Sequence, residues 1–186
     1  MKKTQVFAAV VAAMVAFSGL YAAEKAPAQP AKAVKKAQKA RKNPIAGLSV
    51  AQQIEQTTTP VQSKRHAKRH AEKKALAAAN PAKYKILMLG DSITHQWEYP
   101  AGAEAHKKYI APYPVLNLGC GGDRTQHTLW IVEKSGILDL IKPQLITLMI
   151  GTNNARYDYR ATTAGIKKIL DDLRQRYPEA KILLYA

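Results

Sequence analysis

Two textures meet at Lys83. Beyond it, short apolar runs alternate with segments whose apolar residues recur at helical spacing. Tyr84 to Leu89 (YKILML), Val115 to Leu118 (VLNL), Leu145 to Ile150 (LITLMI) and Lys181 to Tyr185 (KILLY) have the length and apolar density of buried strands. Ala164 to Arg176 is the clearest helix, because Ile166, Ile169, Leu170 and Leu173 fall at i, i+3, i+4 and i+7. Thr125 to Glu133 reads as a second helix that packs through Leu129, Trp130 and Val132. The stretch from Trp97 to Tyr109 reads as a third, after an interruption at Pro100-Ala101-Gly102. Strand and helix in alternation imply parallel strands joined by crossover helices, the α/β class.

Before Lys83 the pattern is different. Lys2-Lys3, the apolar stretch Val6 to Leu20 and the small pair Ala22-Ala23 form the n-region, h-region and cleavage region of a signal peptide over residues 1–23. An uncleaved membrane anchor is the alternative, since residues 6–23 are about long enough to span a bilayer. Residues 24–82 are rich in Ala, Lys and Pro and poor in large apolar residues, so a disordered linker is expected there. Within it, Lys64 to Asn80 has the makings of a basic helix that Asn80-Pro81 would end.

Charge follows the same division. Residues 24–82 carry 13 Lys/Arg against three Glu, while residues 83–186 carry 14 against 10 Asp/Glu and so only +4 of the net +16. The basic character therefore belongs mostly to the linker, read either as a solvated spacer or as a contact for an anionic envelope or glycan. No aromatic residues are interleaved as a stacking platform, which argues against nucleic acid. A single cysteine, Cys120, rules out an intramolecular disulfide.

In α/β folds ligands bind beyond the carboxyl ends of the strands. Three strand ends here are polar and glycine-rich: GDSIT (90–94), NLGCGGDRT (117–125) and GTNN (151–154). All three would open on one rim of the sheet. The glycine loop fails as a dinucleotide fingerprint, because Arg124 stands where the third glycine belongs. It fits an S-adenosylmethionine-binding methyltransferase poorly, since the next strand ends in Gly-Thr-Asn-Asn rather than an acidic residue. A loop that presents backbone N–H groups to an oxyanion fits it best. Ser92 alone would read equally well as a helix N-cap. Asp91 reads as a hydrogen-bonding organiser, Thr152 and Asn154 as turn-shaping residues, and Cys120 as a small buried residue with no basic partner in view.

The three motifs together, in this order, resemble the SGNH hydrolases, also called GDSL esterases and lipases. The run NLGCGGDRTQHTLW…IKPQLITLMIGTNN is most similar to the branch of platelet-activating-factor acetylhydrolase catalytic subunits and bacterial acetylesterases. The resemblance covers about residues 84–186 and implies a three-layer α/β/α domain over 83–186. It implies Ser92 as nucleophile, with the Gly122 backbone N–H, the Asn153 side-chain amide and the Ser92 backbone N–H as oxyanion donors. Such donors lower the barrier by roughly 3–4 kcal/mol each. It implies no metal or cofactor, and a substrate with short, acetyl-type esters, on carbohydrate or, as the family alternative, on phospholipid.

The family's base comes from a D-x-x-H motif beyond a fifth strand, and this sequence contains none. His95 and His127 are the local candidates. A fragment lacking the catalytic Asp and His is expected, with a non-catalytic surface or glycan-binding protein as the competing class. Loss of the histidine can lower kcat on the order of 10⁶-fold. The 186-residue chain is therefore expected to turn over aryl acetates only very slowly, and rapid Ser92-dependent hydrolysis would contradict this.

Overall fold

Four parallel strands occupy the four apolar runs. The computed structural model describes residues 45–99, 104 and 106–185, and it divides into Met1–Gly47 and Leu48–Ala186. Of the first unit only residues 45–47, a turn, are described, so the expected signal peptide and the linker up to residue 44 lie outside the described residues. Among the described residues no helix is long and apolar enough to cross a membrane.

The second unit runs α1 (Val50–Thr58), α2 (Ala67–Ala79), β1 (Ile86–Gly90), a single helical turn α3 (Ser92–His95), β2 (Val115–Asn117), α4 (Thr125–Glu133), β3 (Leu145–Met149), α5 (Tyr159–Arg176) and β4 (Lys181–Leu184). The sheet order is β2-β1-β3-β4, all parallel. The chain moves one way from β1 to β2 and the other way from β2 through β3 to β4. Right-handed crossovers then put the β1–β2 connection on one face and α4 and α5 on the other. β1 is central and buried at every position, as expected of a strand covered on both faces. Leu87, Leu89, Ile146 and Leu148 form the core with Leu129, Ile169 and Leu173 from the helices.

One expectation is refined and another corrected. The helix read around Trp97 to Tyr109 is present, among the described residues, as two separate turns. A 3₁₀ turn covers Gln96–Glu98 and a π-type turn His106–Ile110, and Tyr99 between them is extended. Pro100 restricts the residue before it to extended backbone, which ends the first turn.

The linker expected over 24–82 is ordered from residue 48 on. Ser49 caps α1 through a capping box with Gln52: its hydroxyl accepts from Gln52 N at 3.3 Å, and its own N–H donates to Gln52 Oε1 at 2.9 Å. Thr57 then donates to the Ala161 carbonyl at 2.7 Å, and Gln53 Oε1 accepts from Asp158 N at 2.8 Å. The basic segment Lys64 to Ala79 is indeed helical, as a 3₁₀ turn followed by α2, but much of its charge faces the domain. Arg69 and Lys73 pair with Glu98 at 2.7 and 2.6 Å, and Lys74 donates to the Ser135 carbonyl at 3.0 Å. A low density of large apolar residues did not prevent folding here, because polar bonds to the domain hold these helices in place.

α1, α4 and α5 meet at Gly165. A Cβ there would lie 2.7 Å from Thr125 Cβ and 2.9 Å from the Thr57 carbonyl oxygen. In an open helix Gly→Ala stabilises by about 1 kcal/mol. At this crossing the sign should reverse, and Gly165→Ala is expected to destabilise by about 1–3 kcal/mol through overpacking. Urea denaturation of the two proteins decides it, and a gain in stability would show that α1 does not pack as described.

Candidate active site

The order β2-β1-β3-β4 reverses direction at β1 and β3, and in sheets of this order ligands bind in the crevice beyond that pair. Gly90 stands opposite Met149 at the end of the β1–β3 pairing, so GDSIT and GTNN leave the sheet side by side.

At the end of β1 the helix cap is Asp91, not Ser92. The Asp91 side chain accepts from Ile93 N at 3.0 Å, and its carbonyl takes the His95 N–H at 2.9 Å. Ser92 is thereby the first residue of α3. Its hydroxyl is not spent on capping, and a backbone N–H in the first turn has no intrahelical acceptor. Among the described residues neither the Ser92 side chain nor its N–H makes a hydrogen bond.

The glycine loop is stitched to both neighbours. Cys120 N donates to the Gly90 carbonyl at 3.1 Å, Gly121 N to His95 Nδ1 at 3.2 Å, and the buried Asn117 side chain donates to the Thr94 carbonyl at 2.8 Å. A Cβ on Gly119 would stand 2.6 Å from Thr94 Cβ and 2.7 Å from His95 N, so only glycine lets the loop lie against α3. Gly122 has φ +74°, a left-handed conformation that favours glycine. Its N–H has no acceptor among the described residues.

Asn153 joins the third loop. Its Nδ2 donates to the Asp123 carbonyl at 2.9 Å and to Asp91 Oδ2 at 3.3 Å. Both amide hydrogens are therefore engaged, and the longer bond, to Asp91, is the one an incoming oxyanion could displace. Asn154 is fully buried. Its Oδ1 accepts from Thr125 N at 3.0 Å, which fastens GTNN to the start of α4. Ser92, Gly122 and Asn153 thus all lie on loops that are mutually bonded at one rim.

The N-terminal segment also reaches this rim, which the linker reading missed. His66 Nε2 bonds to the Gly121 carbonyl at 2.9 Å, Arg65 bonds to the same oxygen, and the Arg65 guanidinium occupies the space where a Gly122 Cβ would project. Arg69 donates to the carbonyls of Gly119 and Asn117 at 3.0 and 3.1 Å. The signal was present in KRHAKRH, whose i, i+4 spacing puts Arg65 with Arg69 and His66 with His70 on one stripe. Cys120 also has the basic partner it was expected to lack, His70 Nε2 at 3.5 Å from Sγ. His70, Cys120 and Asp123 are the residues with metal-ligand chemistry that this packing gathers.

A profile of the GDSL-like Lipase/Acylhydrolase family matches residues 88–186. The platelet-activating factor acetylhydrolase IB subunit alpha1 of Bos taurus is 33% identical over 100 residues, which cover 54% of this chain and 41% of that one. The subunit beta homolog of Drosophila melanogaster is 36% identical over 99 residues, covering 53% and 42%. The chain thus spans about two fifths of the length of these relatives. A crystallised protein described as a platelet activating factor from Streptococcus pneumonia superposes with TM-score 0.50 at 23% identity, over 65% of this chain and 54% of that one, a likeness of fold.

Neither local histidine is hydrogen-bonded to Ser92. His95 Nδ1 accepts from Gly121 N and lies 3.2 Å from the Tyr99 hydroxyl, and His127 Nδ1 accepts from Arg124 N at 3.1 Å. Both are held down to about 4, chiefly by burial, with Arg69 adding to the effect at His95 and Arg124 at His127. His70 is also lowered to about 4, by burial and then His66 and Arg69. The folded values lie below the ordinary histidine value of 6.5, so the unfolded chain takes up these protons first. Stability is then full above about pH 6.5 and is lost as the pH falls through 4. Around His95 the facing charged and titratable groups are Arg69, Lys73, Glu98, His66 and Tyr99. Gln at this position keeps an acceptor for Gly121 N–H but cannot be protonated. His95→Gln is expected to lose less stability than wild type between pH 6.5 and 4 in urea denaturation, and an equal loss would remove His95 as a source of the pH dependence.

Proposed function

The chain belongs to the GDSL-like lipase/acylhydrolase family, and we propose that its rim carries the nucleophile and oxyanion donors of a serine acylhydrolase for short-chain esters. The observation that supports this best is the cap on α3. Asp91 satisfies Ile93 N, so Ser92 keeps its hydroxyl and its N–H for a substrate at the sheet's switch point. Ser92 Oγ would attack the acyl carbon and form a tetrahedral intermediate. Its oxyanion would be met by the N–H groups of Ser92 and Gly122 and by Asn153 Nδ2, released from Asp91. Collapse would expel the alcohol and leave an acyl ester on Ser92 for water to hydrolyse. Neutral donors fixed in advance stabilise the oxyanion without reorganising at the moment of reaction.

A serine hydroxyl also needs a base. The family takes it from a D-x-x-H histidine, which this sequence does not contain. Acylation and deacylation are both slow without it. For the acyl group we propose acetyl, supported by relatives named platelet-activating factor acetylhydrolase subunits. For the alcohol side we propose a carbohydrate, supported by the resemblance to acetylesterases and by the export signal read in residues 1–23. Contact with an anionic envelope is assigned to the cations of residues 24–44, because Arg65, Arg69, Lys73 and Lys74 bond within the second unit.

Mass spectrometry after incubation with p-nitrophenyl acetate tests the assignment. An acetyl adduct should accumulate on Ser92, be absent in Ser92→Ala, and form roughly 10²–10³-fold more slowly in Asn153→Ala. Added imidazole, a diffusible base, should speed its formation. No adduct on Ser92 with imidazole present would instead support a binding cleft without chemistry.

A further inference from the structure

Behind the glycine loop lies a cluster of buried polar atoms that the acyl-transfer reading does not use. His70, Cys120 and Asp123 are all buried, Cys120 and Asp123 completely, and one ligand atom from each falls within 4.8 Å of the others. Neither Asp123 carboxylate oxygen makes a hydrogen bond of good geometry, although the Ser63 hydroxyl stands close enough to favour its charged form, and His70 Nδ1 has no partner. A fully buried carboxylate met this weakly is costly unless it holds a proton or faces a cation.

We propose that His70, Cys120 and Asp123 form a binding site for a zinc-class divalent metal ion, with His66 or His127 at its open side. The observed 3.5 Å between His70 Nε2 and Cys120 Sγ supports this. Zn–S of about 2.3 Å and Zn–N of about 2.0–2.1 Å at a tetrahedral angle place nitrogen and sulfur about 3.5 Å apart. His66 Nε2 and His127 Nδ1 stand 3.9 and 3.7 Å from Asp123 Oδ1, and either would become the fourth ligand on releasing its present bond, to the Gly121 carbonyl or from Arg124 N respectively. With His66 as the fourth ligand, two donors come from His66-x₃-His70, a spacing that recurs in zinc sites, and two from the glycine loop; with His127 the fourth comes from α4.

Charge fits the same reading. One thiolate and one carboxylate neutralise a divalent ion, and ligands must be deprotonated to bind, so metal uptake would release protons. Arg65, Arg69 and Lys73 lie nearby and oppose a cation, which favours a thiolate-seeking metal over calcium or magnesium. Bound there, the ion would clamp α2 to the loop that presents Gly122. The proposal does not depend on the hydrolase reading.

The test is cobalt(II) and zinc(II) titration of the metal-stripped 186-residue protein. Cys120 is the single cysteine, so a near-ultraviolet thiolate-to-cobalt charge-transfer band in the wild type identifies it without any variant. We expect about one equivalent bound, zinc displacing cobalt, and a thermal midpoint that rises with zinc. Cys120→Ala, its fold checked by circular dichroism, should abolish the band, and His70→Gln and Asp123→Asn should weaken affinity at least about tenfold. Absence of the band, or affinity unchanged in His70→Gln and Asp123→Asn, overturns the proposal and leaves only adventitious binding by surface histidines.

Discussion

Gly90 stands opposite Met149, with Asp91 N donating to the Met149 carbonyl at 3.3 Å, and the rim is built on that register. A parallel sheet delivers every strand's carboxyl end to the same edge, but adjacency within the edge depends on strand order. Because β1 lies between β2 and β3, its loop can be bonded from both sides. Cys120 and Gly121 approach it from one side and Asn153 from the other. A shift of one residue between β1 and β3 would carry Asn153 away from Asp91 and turn the strand's buried side chains to the opposite face.

The glycine loop is held from above as well as from its flanks. Its carbonyls at Asn117, Gly119 and Gly121 are taken by Arg69, Arg65 and His66, side chains about fifty residues earlier in the chain. The loop's N–H groups consequently face the other way, toward His95 at Gly121 and toward the open rim at Gly122. A loop whose carbonyls at Asn117, Gly119 and Gly121 are occupied is held in the orientation that leaves a donor outward, which is what electrostatic preorganisation requires. Arg69 also shares Glu98 with Lys73, and the two hold its carboxyl below the ordinary range despite burial. α2 is therefore anchored by a charged network, with few large apolar contacts.

Burial sets the acid–base character of the interior. His70, His95 and His127 are kept neutral, Asp91 is raised, and the Asp123 carboxyl and Cys120 thiol are raised further. In each case desolvation is the largest cause. Asp91 partly offsets it by accepting from Ile93 N and Asn153, which is why an acidic residue is tolerated beside the nucleophile position.

The sheet was legible in the sequence because a strand buried on both faces must be apolar at nearly every position. The four runs YKILML, VLNL, LITLMI and KILLY match the observed strands within a residue or two. The helix Thr125–Glu133 was legible to the residue, whereas α5 begins five residues before Ala164, where the Asp158 cap lies ahead of polar residues that carry no periodicity. The three polar strand ends were also legible, and with them Ser92, Gly122 and Asn153 as residues of one rim. What the sequence concealed was long-range. Composition pointed to a linker over 24–82, although the S-x-x-Q box at Ser49 and the i, i+4 stripe in KRHAKRH carried helical signals. Only the tertiary structure decided that Asp91 rather than Ser92 caps α3, that both Asn153 hydrogens are engaged, and that His70 meets Cys120. Local pattern reports how a segment shields its own apolar surface. Which distant donor satisfies a buried acceptor is settled only when the chain is packed.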